Sequence, residues 1–371
     1  MNKIYISTIA AAMLTTGAMA QSNTVKEAFA NGKVSGDISV YGESVSKSGT
    51  NKDSGFTMSS IGLAYETDSF NGFKGSVAVR ANHKFNEKES GDYSDGTDPE
   101  VALSTANISY STDKASIIAG RQEIDLEWIG DFHEAVVGVI NYVPDTTIVV
   151  GHTTRFMAVD NDAALAKMQH IKDATGVSTN NGATVIDAKY EGIENTTINP
   201  YYMNASDVFS AYGLKATTSV SGIDLTAHYA GTSEDVAGVK DGSITHLEIG
   251  TTISDIALAA GYVTTDKNGG VGSITALGDN IDPFEDGGDI YGTDADTYYV
   301  SAATEISSVS LSAFYGSTTS GTANDKNSEI VLTAGAPIAE NLSLDLLISS
   351  INAENSSDDT DKVTLMASYS F

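Results

Sequence analysis

The 371-residue sequence has no cysteine, only 5 prolines, a single tryptophan and three arginines. Without cysteine there is no disulfide and no thiolate metal site, so a secreted chain must be held by something else, such as a closed hydrogen-bond ladder or a membrane. Basic residues are also scarce. With 20 Lys and Arg against 49 Asp and Glu, the net charge is −29, which argues against nucleic acid and anionic membrane surfaces as partners. Beyond the first 20 residues no apolar run approaches the ~20 residues that a spanning helix needs. His83, His133, His152, His170, His228 and His246 are scattered with no pair at metal-ligand spacing. Neither a Gly-x-Ser-x-Gly elbow nor a phosphate loop occurs. Bond chemistry, a metal and a cofactor are therefore not expected.

Lys3, the short apolar run Ile4 to Leu14 and the Ala18-Met19-Ala20 cleavage pattern read as a signal peptide cut after Ala20. This divides the chain into a signal peptide (1–20), a lead segment (21–33) and a body (34–371). The body is turn-rich, with 35 Gly in the whole chain, yet 41% of residues are hydrophobic, too many for a disordered protein.

The body alternates with a period of two. Val363, Leu365, Ala367, Tyr369 and Phe371 form one face of the last segment, with Thr364, Met366, Ser368 and Ser370 on the other. Rows of the same kind run through Leu342 to Ile348, Val309 to Tyr315, Ile256 to Tyr262 and Phe73 to Ala81. A single such strand fits a soluble sandwich as well as a membrane barrel. The connections separate the two. From about Val34 roughly 18 strands follow, joined alternately by short turns (near 68–72, 111–114, 143–146, 191–195, 220–222, 254–255, 306–308 and 337–340) and longer polar links. One link on the long side, near 204–207, is short. Tight turns at one rim and long loops at the other are the habit of outer-membrane barrels. Tyr65, Tyr110, Tyr142, Tyr190 and Tyr369 would ring the short-turn side, and Tyr229, Tyr262 and Tyr315 the other, as aromatic girdles do. The expected fold is an all-β, antiparallel up-and-down transmembrane barrel of about 18 strands. Pro200 lies inside the ninth, where it lacks the N–H a ladder needs. Either that strand starts after Pro200 or the register slips there, and a count of 16 stays open.

The final Tyr369-Ser370-Phe371 looks like the C-terminal signature of outer-membrane barrels. Gly120-Arg121-Gln122-Glu123-Ile124, Glu134-Ala135-Val136-Val137-Gly138, Pro144-Asp145-Thr146-Thr147 and the lead segment Lys26 to Gly36 resemble the Opr-type (OprD-like) porins. The resemblance implies an 18-stranded barrel, commonly a homotrimer, passing small hydrophilic solutes and touching membrane lipid and lipopolysaccharide. The best-known relatives line the pore with a ladder of basic residues. This chain departs from that pattern.

In a porin the site is a constriction, where width and fixed charge select the solute. Two groups of residues are candidates. Arg80, Arg121 and Arg155 lie on ascending strands, Arg80 and Arg155 on the polar parity and Arg121 at an ambiguous position. Facing them would be the third long loop, with Asp125, Glu127, Trp128, Asp131, His133 and Glu134. The resemblance implies that this loop folds inward. A unit pair ~8 Å apart at an effective dielectric of 20 interacts by about 2 kcal/mol, enough to orient a dipolar solute. Asp162 is a candidate cap for a short helix over 163–168 and on to Lys172, with Gly176 as a stop. The 266–296 loop carries Asp279, Asp282, Glu285, Asp286, Asp289, Asp294 and Asp296 after its first residue, Asp266, and reads as a solvated loop that collects cations; its spacing is not that of a calcium site. Two other readings stand beside the porin. One is a structural or adhesive barrel with a closed lumen, the other a barrel lipase using His152 on the lipid-facing parity.

Overall fold

Strands with one apolar and one polar face, and no helix to cover either, have one arrangement that satisfies every ladder: a sheet closed on itself. The computed structural model describes residues 22–94, 96–171, 181–321 and 325–371. A short helix, α1 (Val25–Ala30), leads into β1 (Lys33–Lys47), β2 (Ser54–Glu66), β3 (Phe73–Glu87), β4 (Val101–Ser111), β5 (Ala115–Glu123) and β6 (Phe132–Ile140). Next come β7 (Thr146–Met157), the two-residue β8 (Gln169–His170), β9 (Ala183–Ile193), β10 (Thr196–Ala205), β11 (Phe209–Val220), β12 (Ile223–Glu234) and β13 (Ser243–Ile253). The series ends with β14 (Ile256–Thr265), β15 (Asp296–Ile306), β16 (Val309–Ser320), β17 (Asp325–Ala339), β18 (Leu342–Asn352) and β19 (Thr360–Ser370). Chain neighbours along the wall pair antiparallel, with the short β8 set against β7 and β7 pairing β9 past it. The first strand pairs with both β2 and β19, so the sheet closes. Setting β8 aside from the 19-stranded sheet leaves eighteen wall strands. The expected count holds, and sixteen is excluded.

The pattern of burial is inverted from that of a soluble protein. Val363, Leu365, Ile348, Leu332, Ile330 and Tyr315 face outward, each more than 40% exposed, while Glu329, Thr364, Ser349 and Thr318 on the opposite parity are buried. The two rims differ as the connections imply. At one, Ser221 and Gly222 take φ of 54° and 80°, the left-handed pair that a two-residue hairpin turn needs. The other rim carries the long connections after β3, β7 and β14. The outward tyrosines Tyr202, Tyr212 and Tyr298 join Tyr229 and Tyr315 on this side, which makes that ring fuller than the sequence reading had it.

Pro200 does not begin the strand. The ladder of β10 with β11 runs unbroken through Pro200↔Leu214, and the irregularity falls on the β9 side, between Thr196 and Ile198. There the Asn199 amide donates to the Ala188 carbonyl at 3.1 Å and to Asp187 at 2.9 Å. A side chain thus supplies the donor that the proline lacks. The lead segment also has a defined place. Thr24 caps α1, Asp68 N donates to Ala28 O at 2.9 Å and the Tyr65 hydroxyl to Phe29 O at 2.5 Å, so the helix lies across the short-turn end of β2. No helix among the described residues is long and apolar enough to cross a membrane.

The helix expected over 163–168 is not there. This stretch is irregular, tied to the wall at its start: Asn82 donates to Asp160 O at 2.8 Å and Ala163 O at 2.7 Å, and Ser39 to Asn161 O at 3.3 Å. Leu165, fully buried, packs with Met157 and Ala102. Further along the expected helix Gln169 and His170 form β8 against β7, and Lys172 and Gly176 lie outside the described residues.

Candidate constriction site

Residues 124–131 are too apolar on one side to stay in water: Ile124, Leu126, Trp128 and Ile129 fall within eight residues. They turn inward and cross the lumen to β10, β11 and β12. Trp128, 2% exposed, donates its indole N–H to the Tyr201 hydroxyl at 2.6 Å. That hydroxyl is 2.8 Å from His228 Nε2. Tyr201 lies flat over Gly213, where an added Cβ would come within 2.1 Å of the ring. Beside this network Glu127 accepts from Lys215 Nζ at 2.9 Å. The third connection is thereby sealed to the far wall, and Ile124, Trp128 and Ile129 join Val185, Met203 and Phe209 in one apolar cluster.

The 266–295 connection enters as well, contrary to the solvated loop expected. Val271, Ile274, Leu277, Ile281, Phe284 and Ile290 are each 4% exposed or less and belong to the same cluster. It touches the third connection directly, through Gly130 N to Leu277 O at 2.9 Å and Asn280 to Leu126 O at 2.9 Å. Its acids face two ways. The Tyr291 hydroxyl donates to Asp279 at 2.5 Å, and burial together with that carboxylate keeps the phenol protonated well above its ordinary range. Glu285 and Asp286 instead meet Lys362 of β19, Glu285 at 3.2 Å. No group of three or more His, Cys, Asp and Glu among the described residues is arranged to hold a metal ion.

The seven predicted constriction residues do not form one eyelet. Arg80 points inward and makes a two-point pair with Asp37, at 2.7 and 2.9 Å, with Ser60 at 2.6 Å. Its partner is the wall, not the third loop. Glu127 belongs to Lys215, while Asp125 and Asp131 are exposed on the loop. Glu134 does face two arginines, Arg121 at 2.7 Å and Arg155 at 3.4 Å. These three are in register on β5, β6 and β7, on the face that lower down carries Ile117, Val136 and Val150, all exposed. The inward parity expected for Arg155 fails because a bulge after Thr153 adds a residue and flips the strand's faces above it. At the same level the wall parts. β4 pairs β5 only up to Ala106↔Arg121, while β4 continues along β3 to Val101. Arg121 spans the gap by donating to Leu103 O at 2.6 Å.

A closed wall of eighteen strands with three inward connections, one short-turn rim and an apolar outside can be set against solved structures. The chain superposes on OccK3 (OpdO) of Pseudomonas aeruginosa with a TM-score of 0.74, covering 93% of this chain and 97% of that one at 13% identity. It does so on OccAB4 of Acinetobacter baumannii with a TM-score of 0.73, 91% and 98% coverage and 13% identity. OccK8 (OprE) of P. aeruginosa gives 0.73, 93% and 99% coverage and 12% identity. The barrel has the Occ fold. No family model matches the sequence, and no curated protein matches it.

Sequence reasoning missed Glu329, Lys362, Tyr201, His228 and Asn82. All but Tyr201 lie on the polar parity of their strands, so their inward direction was readable; Tyr201 shares its face with Met203 and Ala205, in the strand whose register Pro200 left open. What could not be read is which loop comes in to meet each.

Proposed function

We propose that this chain is an outer-membrane porin of the OprD-like kind: a water-filled channel for passive diffusion of small hydrophilic solutes and ions, narrowed by its third connection. The observation that carries the reading is the distribution of charge. Arg80–Asp37, Lys215–Glu127 and Lys362 with Glu285 and Asp286 all sit inside the wall, while the outward rows are apolar apart from the Arg121–Glu134–Arg155 cluster at the long-loop ends of β5, β6 and β7. Charges placed inside a barrel need water beside them, because burying them dry is costly even when paired. The outward rows and the two rings of tyrosines fit a bilayer and its interfaces. The third connection narrows the lumen by filling one side of it, with the 158–171 and 266–295 segments at its flanks. Membrane lipid and lipopolysaccharide meet the outer face, and a homotrimer is the assembly that the resemblance favours. The sequence divides as 1–20, exported and removed, 21–33, lead segment, and 34–371, barrel. No catalytic role is assigned.

A second reading, a closed structural or adhesive barrel, has one observation in its favour: the apolar cluster reaches from the third connection to Phe314 and Val331 on the opposite side. Swelling of liposomes that contain the purified mature protein separates the two. Isotonic arabinose or glycine should swell them at rates that fall with solute size. Liposomes that do not swell in either solute would reject the porin.

A further inference from the structure

The 266–295 connection is long enough to lie anywhere above the barrel, and one side chain fixes where it lies. Glu329, on the inward row of β17, is 0% exposed. Its carboxylate accepts from three successive backbone amides of the loop, Glu285 N at 3.0 Å, Asp286 N at 3.3 Å and Gly287 N at 3.2 Å. Ser349 of β18 donates to it at 2.5 Å. Successive amides that converge on one anion form a nest; here the wall supplies the anion and the loop supplies the nest. The fit is close, because a Cβ added at Gly287 would stand 3.3 Å from that of Glu329 and 3.2 Å from Ile351. A buried carboxylate without donors is expensive, so the wall and the loop each satisfy what the other leaves open.

The same three residues put charge into the passage. Lys362, 11% exposed, takes Glu285 and Asp286 together. Asp162 of the 158–171 segment and Asp286 both act electrostatically on Glu43 of β1. Glu43 also feels Lys362, so one lysine answers to an acid of the wall and to the two loop acids that the Glu329 nest holds in place.

We propose that Glu329 is the positioning residue that holds residues 285–287 across the lumen, and that through them it sets the conductance and the cation preference of the channel. The proposal rests on the porin reading. Released from Glu329, the loop swings toward the outer rim, the opening widens, and Lys362 loses both of its ion-pair partners, Glu285 and Asp286.

The absence of cysteine makes a two-part test direct. Ile290, 1% exposed, is changed to Cys in the mature barrel as a reporter of loop docking, and its reaction with a maleimide is timed. Single-channel current and the reversal potential in a KCl gradient are recorded in planar bilayers. Glu329→Gln and Glu329→Asp are each compared with the parent, the second because a shorter carboxylate keeps the charge but does not reach all three amides. Labelling at position 290 is expected to speed up at least tenfold, conductance to rise on the order of twofold, and the reversal potential to move toward chloride, as fixed charge in a narrow pore dictates. Unchanged labelling in both variants overturns the anchor. Faster labelling with unchanged current and reversal potential overturns its role in permeation. A parent barrel that carries no current refutes the porin and with it that role, while the labelling still judges the anchor.

Discussion

Trp128 and Tyr201, 73 residues apart in the chain, meet inside the barrel through an indole N–H to hydroxyl bond of 2.6 Å. The contact reports whether the third connection lies in the lumen, because Trp128 is the one tryptophan of the sequence. Its fluorescence in the folded barrel should be blue-shifted and resistant to acrylamide, and heating in SDS should shift it red and open it to quenching. Replacing Gly213 by Ala, which drives a methyl into the Tyr201 ring, should move the native spectrum part of the way toward the red. A native spectrum already at the solvent-exposed limit would place the loop outside.

Glu127 and Lys215 are the charged half of the same seal. Their side chains are 13% and 28% exposed, so removing one leaves the other poorly hydrated rather than free in water. Loss of one partner of such a pair should cost about 1–3 kcal/mol, below the value for fully buried pairs. Glu127→Gln should lower the unfolding temperature in detergent and, with Lys215 left unneutralised, shift the reversal potential toward anions. Lys215→Met should shift it the opposite way. Shifts of the same sign in both variants would show that the pair does not face the ion path.

Asn199 and Pro200 make a compensated defect. The amide of Asn199 donates where the proline cannot, so Asn199→Ser should destabilise the barrel by the cost of leaving the carbonyl of half-buried Ala188 without its donor, about 1 kcal/mol. Adding Pro200→Val restores a backbone donor, and should recover most of that loss. The two substitutions are thus expected to be strongly non-additive by thermal melts. Additive effects would mean that Ala188 O finds its donor elsewhere.

The wall was legible before the loops. Strand number, the alternation of turns and links, and the inward direction of Arg80 all follow from a period of two, which is a local property of the chain. Three things were not local. The bulge after Thr153 inverted the parity assigned to Arg155, because one extra residue leaves no mark in a row of Thr-Thr-Arg. The acids of 266–296 looked solvated because their charge was counted and the spacing of Val271, Ile274, Leu277 and Ile281 was not. The helix over 163–168 had a cap and good formers, yet Asn82, 81 residues earlier, takes the Ala163 carbonyl that a helix would have used, and with Ser39 ties the residues before it to the wall. In each case a distant side chain or a single inserted residue outweighed a correct local preference.

Arg121 stands where the wall itself is incomplete, and it offers the last test. Above the pair Ala106↔Arg121 the edges of β4 and β5 separate. Gly120 marks the place with a φ of +121°, where an added Cβ would lie 2.3 Å from Ala106 O. An unpaired strand edge in a bilayer-facing wall is costly, each unsatisfied group by several kcal/mol in hydrocarbon. The guanidinium answers this with two arms, one to Leu103 O at 2.6 Å and one to Glu134 at 2.7 Å. Lysine has a single ammonium and no planar fork, so Arg121→Lys should keep the charge for Glu134 but lose Leu103 O. Amide exchange along 101–105 should then rise while the lower half of β4 stays protected, and Arg121→Gln should add a lower melting temperature because Glu134 keeps only Arg155. Exchange along 101–105 that is the same in parent and both variants would show that the gap is closed without Arg121.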